Sequence, residues 1–297
     1  MKALVFGGNG QLGTDVVEEF RKNELSVDAV SHQECNIINF ELVGEIIEKR
    51  APDFVINCAA FHKVDGCEKD EAKAMAVNYR AVENMANICK KQKIVFVHIS
   101  TDYVFDGEKK QPYTEEDMPH PINIYGKSKY EGEKAIQNIG GKYFILRVAS
   151  LYGIKASSKQ GGNFVETMIK LGTEKDEIKV VTDQYMTPTA TMYVARQMIK
   201  LINTDFYGIY HCTCGGFCTW YEFAKEIFKL MNINIKLTPI TSEQYYVSFK
   251  RPKYTVLENA KLKSLNIDIM PPWKEALQKF ILLRNVTIKS RNENNAI

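Results

Sequence analysis

Short apolar runs alternate with amphipathic stretches along the first 150 residues. The runs Ala3 to Phe6, Val27 to Val30, Phe54 to Asn57, Ile94 to Ile99 and Tyr143 to Val148 are bounded by polar residues and have the length of strands buried on both faces. Between them, Leu12 to Lys22, Phe40 to Lys49, Lys69 to Lys91 and Tyr125 to Ile139 carry apolar positions at three- and four-residue spacing with charges between, the pattern of helices with one buried stripe. Strand, helix, strand, repeated, predicts right-handed crossovers and a parallel sheet covered on both faces: an α/β, doubly wound fold.

Beyond Leu151 the regularity weakens. Gly161 and Gly162 precede an amphipathic segment Phe164 to Leu171, followed by a strand-like Ile178 to Thr182 and a helix-like Ala190 to Ile202. A strand Gly208 to Cys212, a helix Trp220 to Leu230, an irregular stretch rich in Pro and Tyr, and a last helix Trp273 to Leu283 complete the pattern. The expected organisation is a dinucleotide-binding domain over 1–150, rejoined by about 178–203, and a smaller, interleaved substrate-binding lobe over 151–285. The polar, mildly basic residues after Asn285 show no period, so 286–297 reads as a flexible tail. No internal repeat is present.

Composition narrows the function classes. With 297 residues, 45% hydrophobic and 25% charged, the chain can bury a sizeable core, and disorder is excluded for most of it. The 39 Lys and Arg against 36 Asp and Glu leave +3, dispersed along the chain, which disfavours nucleic acid as a partner. The apolar start Ala3 to Phe6 is too short for a signal peptide and no run approaches a membrane span, so no membrane association and a cytoplasmic location are expected. Seven scattered cysteines, an odd number, fit reduced thiols.

The first chemical signal follows the first strand, where Phe6-Gly7-Gly8-Asn9-Gly10-Gln11-Leu12-Gly13 places glycines three apart. In a strand-to-helix turn Gly7 permits the tight turn, Gly10 lets the backbone approach a pyrophosphate, and Gly13 lets the helix pack closely. The helix N-terminus adds amides and a positive dipole. A plain βα turn is the competing explanation, and the alternating pattern around the loop favours the dinucleotide. The second strand ends Asp28-Ala29-Val30-Ser31-His32, with neither a placed acid for a ribose hydroxyl nor an Arg for a 2′-phosphate, so NAD(H) and NADP(H) both remain open.

The second signal lies after the fourth strand. Ser100-Thr101-Asp102 end it, and Tyr125 and Lys129 follow at the spacing that puts both on one helix face. A lysine ammonium there is expected to lower the tyrosine's proton affinity from its reference near 10 so that the phenol exchanges a proton near neutrality. With Thr101 hydrogen-bonding the same oxygen, the expected chemistry is hydride transfer between nicotinamide and a carbon bearing oxygen. A Tyr and a Lys four apart is common on solvated helices, and the glycine loop and strand-end Ser-Thr are what favour chemistry here.

Together these residues resemble the extended short-chain dehydrogenase/reductase family, and within it the dTDP-4-dehydrorhamnose reductases. The resemblance rests on the glycine loop, Cys58-Ala59-Ala60 with Val64-Asp65, Val77-Asn78, the run Ser100 to Gly107 and the run Tyr125 to Lys134. Later marks are Gly162-Asn163-Phe164-Val165, Asp183-Gln184 with Pro188-Thr189, Gly208-Ile209-Tyr210-His211 with Trp220 to Phe223, and Arg251-Pro252. It implies a Rossmann-type cofactor domain, a dTDP-sugar substrate and reduction of its C4 keto group by NAD(P)H, with Tyr125, Lys129 and Thr101 catalytic. It further implies Gly10, Gln11 and Leu12 on the dinucleotide phosphates, Asn36 and Ile37 on the adenine side, and Ala60, Phe61 and His62 on the ribose and nicotinamide side. Thr101, Asp102 and Ser150 would meet the sugar. Ser150 stands where the family usually has a Trp, and Asn36 where an Asp is usual. A homodimer is compatible with the resemblance, and the sequence fixes no oligomeric state. Other readings are an epimerase or dehydratase of another sugar nucleotide, and a non-catalytic protein like the regulatory subunit of methionine adenosyltransferase, which has a similar strand-end run and Tyr-Lys pair.

Weaker signals have ordinary explanations. His211, Cys212, Cys214 and Cys218 lack paired CxxC spacing, and a strand would point Cys212 and Cys214 to opposite faces, so no metal site is expected. Tyr245, Tyr246 and Phe249 before Arg251 suit a stacked base with Arg251 on a diphosphate, or simple loop packing. His98 sits inside a strand and His62 fits the cofactor lining, so neither is assigned acid-base work. Asp65, Glu68 and Asp70 read as a solvated helix start.

Overall fold

The structure, a computed structural model, describes residues 1–155, 162–245 and 249–294, the last helix from 288 onward as backbone. Gly161 and Tyr246 lie outside the described residues. The chain begins β1 (Lys2–Phe6), α1 (Gln11–Lys22), β2 (Ser26–Val30), α2 (Phe40–Arg50) and β3 (Phe54–Asn57). It continues through α3 (Val64–Lys69), α4 (Glu71–Met75), a π turn Ala76–Arg80, α5 (Ala81–Gln92), β4 (Val95–Thr101), α6 (Ile124–Ile139) and β5 (Tyr143–Val148). Then come β6 (Leu151–Tyr152), α7 (Phe164–Glu174), β7 (Glu177–Val181), β8 (Tyr185–Met186), β9 (Thr189–Ala190), α8 (Thr191–Ile202) and β10 (Gly208–His211). The last elements are β11 (Cys218–Thr219), α9 (Trp220–Met231), β12 (Lys236–Ile240), α10 (Ala260–Ser264) and α11 (Trp273–Asn294).

Six parallel strands form the main sheet in the order β10-β5-β4-β3-β1-β2. The apolar runs supply side chains to both faces, as a doubly covered sheet requires. Ala3, Val5, Ile56 and Leu146 join a cluster with Val16 and Phe20 of α1 and Val194 and Met198 of α8. Leu4, Phe6, Val55 and Phe96 point the other way, onto Val43 and Ile47 of α2 and Val82 and Met85 of α5. The predicted α/β, Rossmann-type sheet is what folds.

The second half divides differently from the boundaries drawn on the sequence. The strand expected at 178–182 to rejoin the cofactor domain pairs instead with β12 as a parallel two-stranded sheet, because Ile178 and Val180 face an apolar cluster with Phe223, Ile227 and Phe280. The strand Gly208 to Cys212, assigned to the lobe, instead extends the main sheet beside β5, with Tyr210 and Cys212 in the main core. Only α8, of the stretch 178–203, packs on the cofactor side. The last helix runs to Asn294 instead of ending at Leu283, and an Arg284–Glu166 fork holds it to α7 past that point. No helix of the described residues is long and apolar enough to cross a membrane.

One continuous helix was expected over 69–91. The chain makes α3, α4, the π turn and α5 there, and the π turn holds Asn78 with its side chain buried. Asn78 Oδ1 accepts from the Phe61 N–H at 2.9 Å, while its amide donates to the Phe61 carbonyl at 2.9 Å and to the Ser128 hydroxyl at 3.0 Å. Single π turns recur where a helix aims a side chain at a site.

Candidate active site

Parallel strands deliver their carboxyl ends to one edge, and the register puts Phe6 beside Asn57 and Asn57 beside His98. The glycine loop, the segment after Asn57 and the Ser100-Thr101 end of β4 therefore share that edge, where ligands of open α/β sheets bind. Asn123 caps α6 by accepting the Gly126 N–H at 2.8 Å, and this sets Tyr125 and Lys129 in the first turns of a helix lying on the sheet.

The loop residues fit a dinucleotide. Gly7 has φ +74, and a Cβ on it would lie 2.9 Å from the Ala59 nitrogen. A Cβ on Gly13 would lie 2.1 Å from the Gly7 carbonyl oxygen, so α1 packs against its own loop at backbone distance. Gly10 caps α1 without a side chain, and no acidic residue stands in the first turn. The first amides of that helix, which have no intrahelical acceptor, carry no side-chain cap either, which leaves them available to an anion. Gln11 ties the loop to the lobe: its amide donates to the Leu151 carbonyl at 3.1 Å and accepts from Asn163 at 2.9 Å.

Lys129 is 2% exposed, and its Nζ lies 2.6 Å from the Ile99 carbonyl oxygen and 3.1 Å from His98 Nε2. Burial pulls its proton affinity down to about 8, against the opposing pull of Glu133 one turn along α6. His98, fully enclosed, is held well below the usual histidine range by burial and then by Lys129.

Tyr125 meets Tyr103 edge to face with ring centroids 5.8 Å apart. Burial pushes its phenol above the ordinary value of 10, and the neighbouring Thr101 hydroxyl works in the opposite direction. The expected net lowering of Tyr125 is thus not what the site produces: desolvation of the phenolate is the largest influence, while Lys129 is engaged with His98 and Ile99. Thr101 donates to Asp102 Oδ1 at 3.0 Å and accepts from the Tyr103 N–H at 3.2 Å. Asp102 is 3% exposed, and burial raises its carboxyl to about 6 even though the neighbouring Thr255 and Thr101 hydroxyls oppose the rise.

The remaining candidates fall around this centre. Leu12 and Ile37 bury their side chains in the core, leaving only backbone for a ligand, whereas Asn36 is exposed. Ala60 and Phe61 are half-buried beyond β3, and His62 is exposed beside them. Ser150 takes φ +45 at the turn between β5 and β6, and its carbonyl accepts from Thr189 at 3.3 Å. Arg251 lies over the Phe249 ring, 5.2 Å from its centroid, and acts electrostatically on Tyr103. Its Nε is buried and without a hydrogen-bond partner among the described residues. Tyr245 is exposed. Cys212 packs in the main core and Cys214 and Cys218 in that of the lobe, where burial pushes all three thiols up and keeps them neutral. Asn57, Asn78, Tyr103 and Thr255 were not among the sequence candidates. For Asn57 the available signal was a polar residue closing an otherwise apolar strand.

The family model described as RmlD substrate binding domain matches residues 1–285. The structure of a dTDP-4-dehydrorhamnose reductase from Clostridium acetobutylicum superposes with a TM-score of 0.91 at 44% identity, covering 95% of this chain and 99% of that one. A dTDP-4-dehydrorhamnose reductase from Bacillus anthracis, solved in complex with NADP, gives 0.90 at 38%, covering 95% and 98%. The spore coat polysaccharide biosynthesis protein SpsK of Bacillus subtilis is 37% identical over 96% of this chain and 98% of its own. The glycine loop, the strand-end Thr101 and the Tyr125-Lys129 helix thus sit in a chain matched almost end to end, and the protein belongs to the RmlD substrate binding domain family.

Proposed function

We propose that this protein reduces the C4 keto group of dTDP-4-dehydro-L-rhamnose to give dTDP-L-rhamnose. The observation that carries the reading is the convergence of Thr101 at the end of β4 and Tyr125 in the first turn of α6 on the sheet edge that also holds the glycine loop. Full-length similarity to proteins named dTDP-4-dehydrorhamnose reductase supports the substrate class, and the NADP complex of one of them supports NADP(H) as cofactor. Gly7, Gly10, Gln11, Leu12 and Gly13 would hold the dinucleotide phosphates, with Asn36 and the Ile37 backbone on the adenine side and Ala60, Phe61 and His62 along the ribose and nicotinamide. When bound, NAD(P)H supplies the hydride.

The chain's own residues supply the proton. Tyr125 is a neutral phenol at neutral pH and, although burial makes it a weaker acid than a free phenol, it can donate to the C4 oxygen, which becomes a much stronger base than a phenolate as the carbonyl is reduced. Thr101, whose hydroxyl donates to Asp102 Oδ1 in the free protein, stands beside Tyr125 and would turn that hydrogen to the C4 oxygen, leaving the Tyr125 proton free for transfer. Lys129 beneath them exchanges protons near neutrality. Arg251, whose buried Nε has no acceptor among the described residues, would donate to a phosphate oxygen of the substrate, and Asp102 and Ser150 would border the sugar.

The test is oxidation of NADPH, and separately NADH, with dTDP-4-dehydro-L-rhamnose generated in situ and the product identified by mass and NMR. Consumption yielding dTDP-L-rhamnose is the expected outcome. Nucleotide binding without consumption would overturn the reading in favour of a changed sugar at Ser150 or a non-catalytic role.

A further inference from the structure

Asn57 and His98 stand side by side on β3 and β4, both fully buried, and their hydrogens can be placed from geometry alone. The Ala59 backbone N–H can only donate, and it meets the Asn57 side chain at 3.0 Å, which makes that atom the carbonyl Oδ1. The other terminal atom is then the amide nitrogen, a donor, and it lies 3.3 Å from His98 Nδ1. Nδ1 therefore accepts, and a neutral imidazole carries its hydrogen on Nε2. That hydrogen points at Lys129 Nζ, 3.1 Å away. Opposite an ammonium, which has no lone pair, it would find no acceptor. Opposite an amine it finds one, and the amine keeps an N–H for the Ile99 carbonyl at 2.6 Å.

We propose that Asn57 and His98 are positioning residues that favour the amine form of Lys129 and so lower its titration midpoint, Asn57 selecting the His98 tautomer whose Nε2–H donates to the Lys129 lone pair. Burial acts in the same direction on both Lys129 and His98. The groups facing Lys129 from the neighbouring elements do not cancel this. Cys58 after β3 and Cys67 on α3 are thiols pushed up to about 12 by burial, hence uncharged, and the Glu133 carboxylate is engaged by Arg147 and Ser100. Lys129 is then no permanent cation but a group able both to take a proton and to give one near neutral pH. If the catalytic role proposed above for Tyr125 holds, such a group can return a proton to Tyr125 after each turnover.

The experiment reads His98 and Lys129 directly in the full-length protein and needs no turnover, so it stands or falls apart from the reductase reading. The ¹⁵N shifts of His98 report its tautomer, and ¹³Cε shifts, assigned through Lys129→Met, report the Lys129 titration midpoint. Expected in the natural protein are hydrogen on Nε2, a bare Nδ1, and a Lys129 midpoint well below its ordinary value, near 8. In Asn57→Asp the new carboxylate accepts the Ala59 N–H and also demands a hydrogen on Nδ1, so the tautomer reverses, Nε2 accepts, and the Lys129 midpoint rises by about one unit or more. His98→Gln, uncharged and able to turn its carbonyl to Lys129, raises the midpoint without adding charge. Hydrogen on Nδ1 in the natural protein would overturn the proposal, even if neither variant folds. So would a Lys129 midpoint that stays put when the tautomer reverses.

Discussion

Glu133 and Arg147 form a two-pronged ion pair that neither side chain carries to solvent: Arg147 Nε lies 3.0 Å from Oε1 and Nη2 2.7 Å from Oε2. The Ser100 hydroxyl also donates to Oε1, so the carboxylate binds α6 to the ends of β4 and β5. This pair fixes the helix that carries Tyr125 and Lys129 onto the sheet.

Breaking the pair from one side leaves a buried charge unmatched. Arg147→Met is expected to lower the unfolding free energy by about 3–5 kcal/mol, measured by urea denaturation, while Arg147→Met combined with Glu133→Leu recovers much of that loss. A double variant no more stable than the single one would show that the ion pair itself, beyond its packing, carries the fold here.

Tyr125→Phe removes the proton and keeps the ring against Tyr103. Turnover should fall by about 10²- to 10⁴-fold while the dissociation constant for NADPH stays roughly unchanged. Steady-state kinetics with fluorescence titration of the cofactor separates the two, and near-natural turnover would remove Tyr125 from the proton step.

The glycines of the loop separate stability from binding. At Gly10 a Cβ would meet only the Gly7 carbonyl oxygen at 3.1 Å, whereas at Gly13 it would be driven into that oxygen at 2.1 Å and the Gly8 Cα at 2.8 Å. Gly10→Ala is expected to weaken cofactor binding at nearly natural melting temperature. Gly13→Ala should lower both, since backbone has to move to admit the methyl. Differential scanning calorimetry beside cofactor titration checks the contrast.

Asp102 makes stability depend on pH in a stated direction. Its carboxyl is raised from 3.8 to about 6 by burial, so the folded state binds more protons than the unfolded between those values. The contribution is full below about 3.8 and is lost as pH rises through about 6, on the order of 2–3 kcal/mol in all. Asp102→Asn has no such charge to bury, so its stability relative to the natural protein should improve from pH 4 to pH 7. A constant difference across that range in chemical denaturation would contradict the assignment.

Much of the fold is legible in the chain itself, because buried parallel strands and one-sided helices write their periods into the sequence. The runs at Ala3, Phe54 and Tyr143 become β1, β3 and β5, and the stripes of Leu12 to Lys22 and Tyr125 to Ile139 become α1 and α6. Where the structure departs, the cause is pairing between distant segments. Nothing in Ile178 to Thr182 says that its partner is Lys236–Ile240 and not the main sheet, and nothing near Asn78 announces a π turn, because its reason is an amide reaching Phe61 and Ser128.

For the site, the sequence by itself determined the residue types and their local geometry: glycines where backbone meets backbone, a Tyr and a Lys on one helix face, a Thr at a strand end. These depend on neighbours a few positions away, which a period or a spacing captures. The tertiary structure alone decided the proton inventory. Tyr125 rises where spacing predicted a fall, Lys129 turns to His98 and Ile99, and Asn57 sets the hydrogens of His98 across a strand boundary. Proton affinity answers to burial and to hydrogen-bond partners from the whole fold, and those are assembled only when separate strands and helices pack together.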